Sequence, residues 1–191
     1  IVSVVKVDEA GGYLYFIASP TNATQRYLYR SRLDGRGAAE RVTPAAAAGT
    51  HGYDASPDAR WAFHFFSSFD VPSTTELVRL PSHEVVRTLV ANTALRAAVA
   101  PLVTRPGEFF QVTVPGGLAL DGFMIRPRDF DSTKTYPVLV YIYGEPPSQT
   151  VRDEWFGGRG LWYRMLADLG YLVVSFDNEG TPAPRGRAWR K

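Results

Sequence analysis

The residue types best placed to do chemistry lie between Tyr136 and Gly180. Tyr143 closes an apolar run, Val138 to Tyr143, that breaks at Gly144-Glu145-Pro146-Pro147, and Asp177 follows a second apolar run, Tyr171 to Phe176. Both residues therefore fall at the carboxyl ends of expected parallel strands, the edge at which open α/β sheets bind ligands. A phenol released there by the turn at Gly144 can donate a hydrogen bond to an oxyanion as it forms, and losing such a donor costs about 3 to 4 kcal/mol of barrier. The plainer alternative is a tyrosine that only packs. Tyr141, two residues earlier on the same face, reads as core. Asp177 could orient a histidine, but in Asp177-Asn178-Glu179-Gly180 the side chains suit turn capping, and a structural role is expected. Ser148, in the loop after Pro146-Pro147, lacks the strand-to-helix elbow of an activated serine, and no G-x-S-x-G occurs. His51, His64 and His83 each read as a lone histidine in or beside a β segment, so no metal site is expected. Gly157-Gly158-Arg159-Gly160 reads as a flexible helix entry rather than an anion cradle.

Holding Tyr143 and Asp177 at one edge takes a strand, a crossover helix and a second strand. From Arg159 to Leu169 the apolar residues Leu161, Trp162, Met165, Leu166 and Leu169 fall on one helical face, and Gly170 stands where a helix end favours a left-handed residue. Upstream, Phe109 to Val114 and Leu120 to Arg126, joined by Pro115-Gly116-Gly117, read as an antiparallel hairpin. This half is α/β. Two parallel strands and one helix cannot cover both faces of a sheet, so residues 138 to 176 are expected to be covered by a second chain, a swapped element or further polypeptide, and a homo-oligomer is expected.

Residues 1 to about 90 read as two copies of one four-stranded unit. Val2 to Val7, Tyr13 to Ser19, Tyr27 to Leu33 and Glu40 to Val42 form the first; Tyr53 to Ala55, Trp61 to Ser67, Glu76 to Leu80 and Val85 to Val90 form the second. Tyr13 matches Trp61 and Val42 matches Val90, each pair 48 residues apart, and a four-stranded repeat of roughly 40 to 50 residues is the signature of a β-propeller blade. A β-sandwich remains the alternative on strand pattern alone. Asn92 to Val99, alanine-rich and followed by Pro101, reads as a short connecting helix. The boundary is set there, giving residues 1–97 as C-terminal propeller blades and 98–191 as an α/β unit.

Composition narrows the functional classes. Cysteine is absent, which removes disulfides, thiolate metal sites and cysteine nucleophiles together. Net charge is +2, with scattered basic residues apart from Arg185, Arg187, Arg190 and Lys191. That cluster, without interleaved aromatics, reads as a solvated helix start and not as a nucleic-acid site. No apolar run approaches the roughly 18 to 20 residues of a membrane helix, so no membrane span is expected. The chain opens at Ile1 without a methionine, and it is expected to begin and end within a longer protein.

With these residues in view, YPVLVYIYGEPPSQTV, LWYRMLADLGYLVVSFDNEGT and PRGRAWRK resemble the entrance to the catalytic domain of the dipeptidyl peptidase IV subfamily of prolyl-oligopeptidase-like serine peptidases. Tyr27-Leu28-Tyr29-Arg30, Leu33-Asp34-Gly35, Arg41-Val42-Thr43-Pro44, Gly49-Thr50-His51, Ser56-Pro57-Asp58 and Ser67-Ser68 are similar to its last blades. The resemblance implies a partial eight-bladed propeller followed by the N-terminal part of an α/β-hydrolase sheet. It implies release of N-terminal dipeptides, Xaa-Pro or Xaa-Ala, from peptide substrates by a Ser-Asp-His triad, with no cofactor. It places Tyr143 on the family tyrosine that completes the oxyanion hole. The triad residues are not in this chain, which alone is expected to be inactive, and export to the periplasm or cell envelope is implied only by the family. Two departures stand out: Glu145 where a small glycine is usual, and Glu179 in place of an arginine. A carboxylate beside an oxyanion would oppose it; the plainer reading has Glu145 pointing to solvent. A non-catalytic protein-binding module and an acylaminoacyl-peptidase-like hydrolase are the alternatives.

Overall fold

The computed structural model describes residues 1–103, 105–143 and 148–190. Two four-stranded antiparallel meanders come first. The first sheet is β1 (Ser3–Asp8), β2 (Tyr13–Ala18), β3 (Tyr27–Arg32) and β4 (Glu40–Arg41); the second is β5 (Thr50–Ala55), β6 (Trp61–Ser68), β7 (Val71–Arg79) and β8 (Glu84–Val90). Neither could bury its apolar face alone. Tyr15, Ile17, Leu28 and Val42 of the first unit therefore pack against Ala59, Ala62, Val78 and Leu80 of the second in one core. The two sheets fit neighbouring propeller blades, stitched at their margin by a parallel bridge between Arg26 and Thr50.

A short helix, α1 (Thr93–Val99), leads to a third, mixed sheet in the order β11-β12-β10-β9. Here β9 (Glu108–Thr113) and β10 (Ala119–Ile125) form the expected hairpin, and β11 (Val138–Tyr141) runs parallel to β12 (Leu172–Phe176). Helix α2 (Gly158–Asp168) makes the crossover and ends at Gly170, whose φ of 94° is the left-handed conformation the sequence called for.

The inward face of α2 is not the apolar stripe read from the sequence. Gly160, Tyr163, Arg164 and Ala167 are buried, while Trp162 and Leu169 are 47% and 68% exposed. The small Gly160 and Ala167 allow close approach, the Tyr163 ring packs on Phe123, and Arg164 donates to the Arg105 carbonyl and pairs with Asp70 of the β6–β7 turn. A half-buried ion pair thus takes the place that an apolar contact would have filled. Val138, Val140 and Ile142 are exposed as well, so the third sheet and its helix show the uncovered apolar surface that two parallel strands predict.

The third sheet is docked on the blades by specific bonds. Phe69 of the β6–β7 turn enters its core beside Phe123, Val151 and Tyr163. The Asp153 amide donates to the Thr24 carbonyl at 2.7 Å, and the Asp153 carboxylate accepts from the Phe69 amide at 2.9 Å. The terminal basic cluster divides. Arg185 is held by the Ala119 carbonyl, by Asp121 at 3.4 Å and by the Trp189 ring at 4.1 Å, and so is not the solvated residue expected. Arg187 and Arg190 are exposed. Lys191 lies outside the described residues.

Candidate active site

The parallel pair β11 and β12 sets the edge on which the sequence placed its candidates. Tyr141 is the last residue of β11 and pairs with Ser175. Its ring lies 5.7 Å from that of Tyr163, and its hydroxyl accepts from Arg159 at 3.1 Å, which makes it the packing residue expected. The strand stops two residues earlier than the apolar run suggested, so Ile142 and Tyr143 stand beyond the ladder. Tyr143 is 36% exposed at the carboxyl edge, where a phenol can reach a bound molecule. Glu145 and the turn at Gly144 lie outside the described residues. Glu179 is exposed.

Asp177, directly after β12, is 1% exposed and turns inward. Its Oδ1 accepts from the amides of Thr150 at 2.8 Å and Val151 at 3.1 Å, and the Thr150 hydroxyl, 3.2 Å from the same oxygen, lies 2.9 Å from Ser175 Oγ. Burial pushes its carboxyl above the usual carboxylate range, against the opposing pull of those donors. The expected structural role is therefore met, though across the sheet edge: Asp177 fixes the strap after Ser148 rather than its own turn. Between strap and strand lies a cavity of about 180 Å³, lined among others by Tyr141, Gln149, Arg152, Arg159 and Tyr163. A larger concavity of about 530 Å³, beside Ile1, Ser19 and Arg187, contains neither Tyr143 nor a histidine.

The three histidines are not lone. His51 on β5, His64 on β6 and His83 in the β7–β8 turn are all buried in one cluster. His51 Nδ1 lies 2.9 Å from His64 Nε2, His64 Nδ1 is 3.2 Å from Glu76 Oε2, and Tyr53 Oη is 2.7 Å from His83 Nε2. The signal was cross-strand: Tyr53 pairs with His64 and His64 with Glu76, while His51 is two residues from Tyr53 on one face of β5. Among the described residues no group of three or more acidic or histidine side chains is arranged for a metal ion. Burial, reinforced by His64, lowers His51 to about 3, and burial with His83 lowers His64 to about 4.

This cluster predicts acid sensitivity. Both folded pKa values lie below the ordinary 6.5, so the associated stability is present above about pH 6.5 and is lost as pH falls toward 4, where only the unfolded chain binds the protons. Melting curves at pH 7 and pH 5.5 are expected to differ by about 2.5 kcal/mol, roughly 5 to 10 °C. A His51→Asn, His64→Asn double variant should show a flatter pH profile; an unchanged slope would count against this account.

Two blade-like four-stranded meanders followed by a mixed sheet with one parallel pair are the arrangement expected from the sequence. The comparisons with known proteins agree. Residues 1–73 match the family described as the dipeptidyl peptidase IV (DPP IV) N-terminal region. A probable dipeptidyl-aminopeptidase B of Emericella nidulans is 34% identical over 179 residues, which is 92% of this chain and 19% of that protein. The corresponding protein of Coccidioides posadasii is 30% identical over 177 residues, with the same coverage of 92% and 19%. Among solved structures, the crystal structure of Porphyromonas gingivalis dipeptidyl peptidase 4 superposes with a TM-score of 0.86 at 30% identity, covering 98% of this chain and 26% of that one. In sequence and in fold the chain is similar to these dipeptidyl peptidases, and it spans about one fifth of the length of the curated relatives it matches. No helix among the described residues is long and apolar enough to cross a membrane.

Proposed function

We propose that residues 1–191 are the junction of a serine exopeptidase that releases N-terminal dipeptides, Xaa-Pro or Xaa-Ala, from peptides. Residues 1–97 are read as the last blades of an eight-bladed propeller and 98–191 as the first part of an α/β-hydrolase catalytic domain. Tyr143 donates its phenolic hydrogen to the oxyanion of the tetrahedral intermediate, and the triad lies in sequence outside this chain. The observation that carries the reading is the position of Tyr143, two residues past the end of β11 at the carboxyl edge, in a chain similar to named dipeptidyl peptidases along most of its length. An oxyanion donor belongs at that edge, because charge develops where the nucleophile meets the carbonyl above the strand ends. The exposed apolar side chains, Trp162, Met165 and Leu169 on the outer side of α2 and Val140 on the opposite face of the sheet, are assigned to covering elements, either further polypeptide or a second copy.

The full-length polypeptide carrying these residues is expected to hydrolyse a Gly-Pro chromogenic amide, and a serine-directed phosphonate should abolish the turnover. Residues 1–191 alone should show none. Phosphonate-sensitive hydrolysis by the isolated segment, or no hydrolysis by the full-length protein, overturns the reading.

A further inference from the structure

Helix α2 begins without a side-chain cap. Its N-cap residue is Gly157 and no side chain bonds the first turn, which leaves the partial positive charge of the helix start uncompensated. Phe156 and Arg159, on either side of that start, line the cavity of about 180 Å³ between the strap and β11. A helix start alone specifies no ligand, but a second feature of the same cavity does. Tyr163, one turn further along α2, is 1% exposed and lines the cavity, and its hydroxyl has no hydrogen-bond partner among the described residues. Burial, with the Tyr141 phenol beside it, pushes that hydroxyl up to about 12, while Arg159 pulls it down. At neutral pH it is therefore a donor, and a buried donor without an acceptor is unfavourable.

The surrounding charges have the sign that suits an acceptor. Arg152 and Glu154 both line the cavity and pair with each other, yet Arg152 Nε is enclosed and without a partner among the described residues. Arg159 meets no carboxylate among the described residues; it donates to the Tyr141 hydroxyl at 3.1 Å. Behind the strap stands a third guanidinium, that of Arg26, 7% exposed where the three sheets meet. Its amide donates to the Gly49 carbonyl at 3.2 Å, and its side chain donates to the carbonyls of Ala23 at 2.9 Å and Gln25 at 2.7 Å and to Oε1 of Gln149. Burial and the nearby Arg152 lower its pKa to about 10, with Glu154 and Asp177 opposing. Gln149 adds no free donor, because its Nε2 is committed to the Ala23 carbonyl at 3.1 Å and the Val151 carbonyl at 2.9 Å. Three guanidiniums thus stand against two carboxylates, and one positive charge is unmatched.

We propose that this cavity is a binding site for a small aliphatic carboxylate, held by the Tyr163 hydroxyl, the Arg159 guanidinium and the start of α2. One unmatched charge calls for a monovalent anion, and the apolar walls formed by Phe123 and Phe156 suit an alkyl end better than a halide or phosphate. A water takes about 30 Å³ of liquid, so the volume admits a carboxylate of a few carbons. The stretch Gly157-Gly158-Arg159-Gly160, read from the sequence as a flexible helix start, becomes one wall of an anion cradle in this proposal. The site stands apart from the reading of Tyr143 and requires neither an oxyanion donor nor hydrolysis.

The test uses the full-length protein and sodium acetate, titrated by calorimetry in a zwitterionic buffer at neutral pH, with sodium chloride and sodium phosphate titrated in parallel at matched ionic strength. Acetate is expected to bind with a Kd of about 1 mM, within the ceiling for so small a ligand, and chloride and phosphate at least about tenfold more weakly. Tyr163→Phe, which removes one hydroxyl, should weaken acetate binding about tenfold or more, while the melting temperature without acetate stays within about 1 °C. Arg159→Gln, at an exposed position, should weaken it about three- to fivefold. Arg187→Gln, exposed beside the larger concavity, should leave it unchanged. No saturable acetate binding up to about 100 mM, a hundred times that Kd, would mean a cavity for water only and overturns the inference. Chloride or phosphate binding as tight as acetate, binding unchanged by Tyr163→Phe, or an equal loss in all three variants overturns it as well. If Tyr163→Phe does not fold, the comparison of Arg159→Gln with Arg187→Gln gives the same decision.

Discussion

Replacing Tyr143 with phenylalanine in the full-length protein is expected to lower kcat about 100- to 1,000-fold while KM changes by less than about threefold. The substitution removes one hydroxyl and keeps the ring, so whatever the ring packs against is preserved. Tyr143 is also partly exposed, and melting temperature should stay within about 1 °C. The split between the constants follows from where the charge is. The ground-state carbonyl is a neutral acceptor, whereas the tetrahedral oxygen of the proposed reaction is an anion, so the phenol is worth more in the transition state. Steady-state kinetics on a Gly-Pro chromogenic amide settles it. A rise in KM matched by no change in kcat would make Tyr143 a substrate-binding residue, and no change in either would leave it a packing residue.

The position of Tyr143 was legible from local pattern: the apolar run Val138 to Tyr143 stops before Gly144 in the sequence, and its last aromatic falls just past the carboxyl end of β11. The blades were legible for a similar reason, since Tyr13 and Trp61 begin β2 and β6 in matching places. β7 was read too short because Pro72-Ser73-Thr74-Thr75 has no apolar alternation, although β6 pairs with it back to Val71. The other misses need knowledge of what packs against what. A helix wheel identifies the stripe of Trp162, Met165 and Leu169 but cannot say which side meets the blades, and here that side was chosen by Gly160, Ala167 and the Arg164 pair with Asp70. The histidines converge only through strand register, which spacing along the chain does not give. Arg26 was invisible for the strongest reason, since a charged residue beside a turn reads as solvated until three sheets are found to meet on it.

Asp177 carries the largest stability effect expected of a single substitution. It is nearly inaccessible, and one of its oxygens serves the amides of Thr150 and Val151 and the hydroxyl of Thr150. Asp177→Ala strands these buried donors and opens a small void, and urea denaturation of the chain is expected to show a loss of about 3 kcal/mol. Asp177→Asn separates charge from hydrogen bonding. Its carboxamide oxygen can still accept from both amides, and it removes a charge that burial already disfavours, as the raised carboxyl pKa indicates. The second carboxylate oxygen, buried and without a partner among the described residues, becomes an amino group that must find an acceptor or water. The two effects oppose each other, and the asparagine variant is expected within about 1 kcal/mol of the parent sequence. If asparagine proves as damaging as alanine, the negative charge itself holds the strap, and the account of Asp177 as a neutralisable acceptor is wrong. If alanine costs less than about 1 kcal/mol, the strap is held from the blade side by Gln149 and Asp153 alone, and Asp177 is dispensable to the fold.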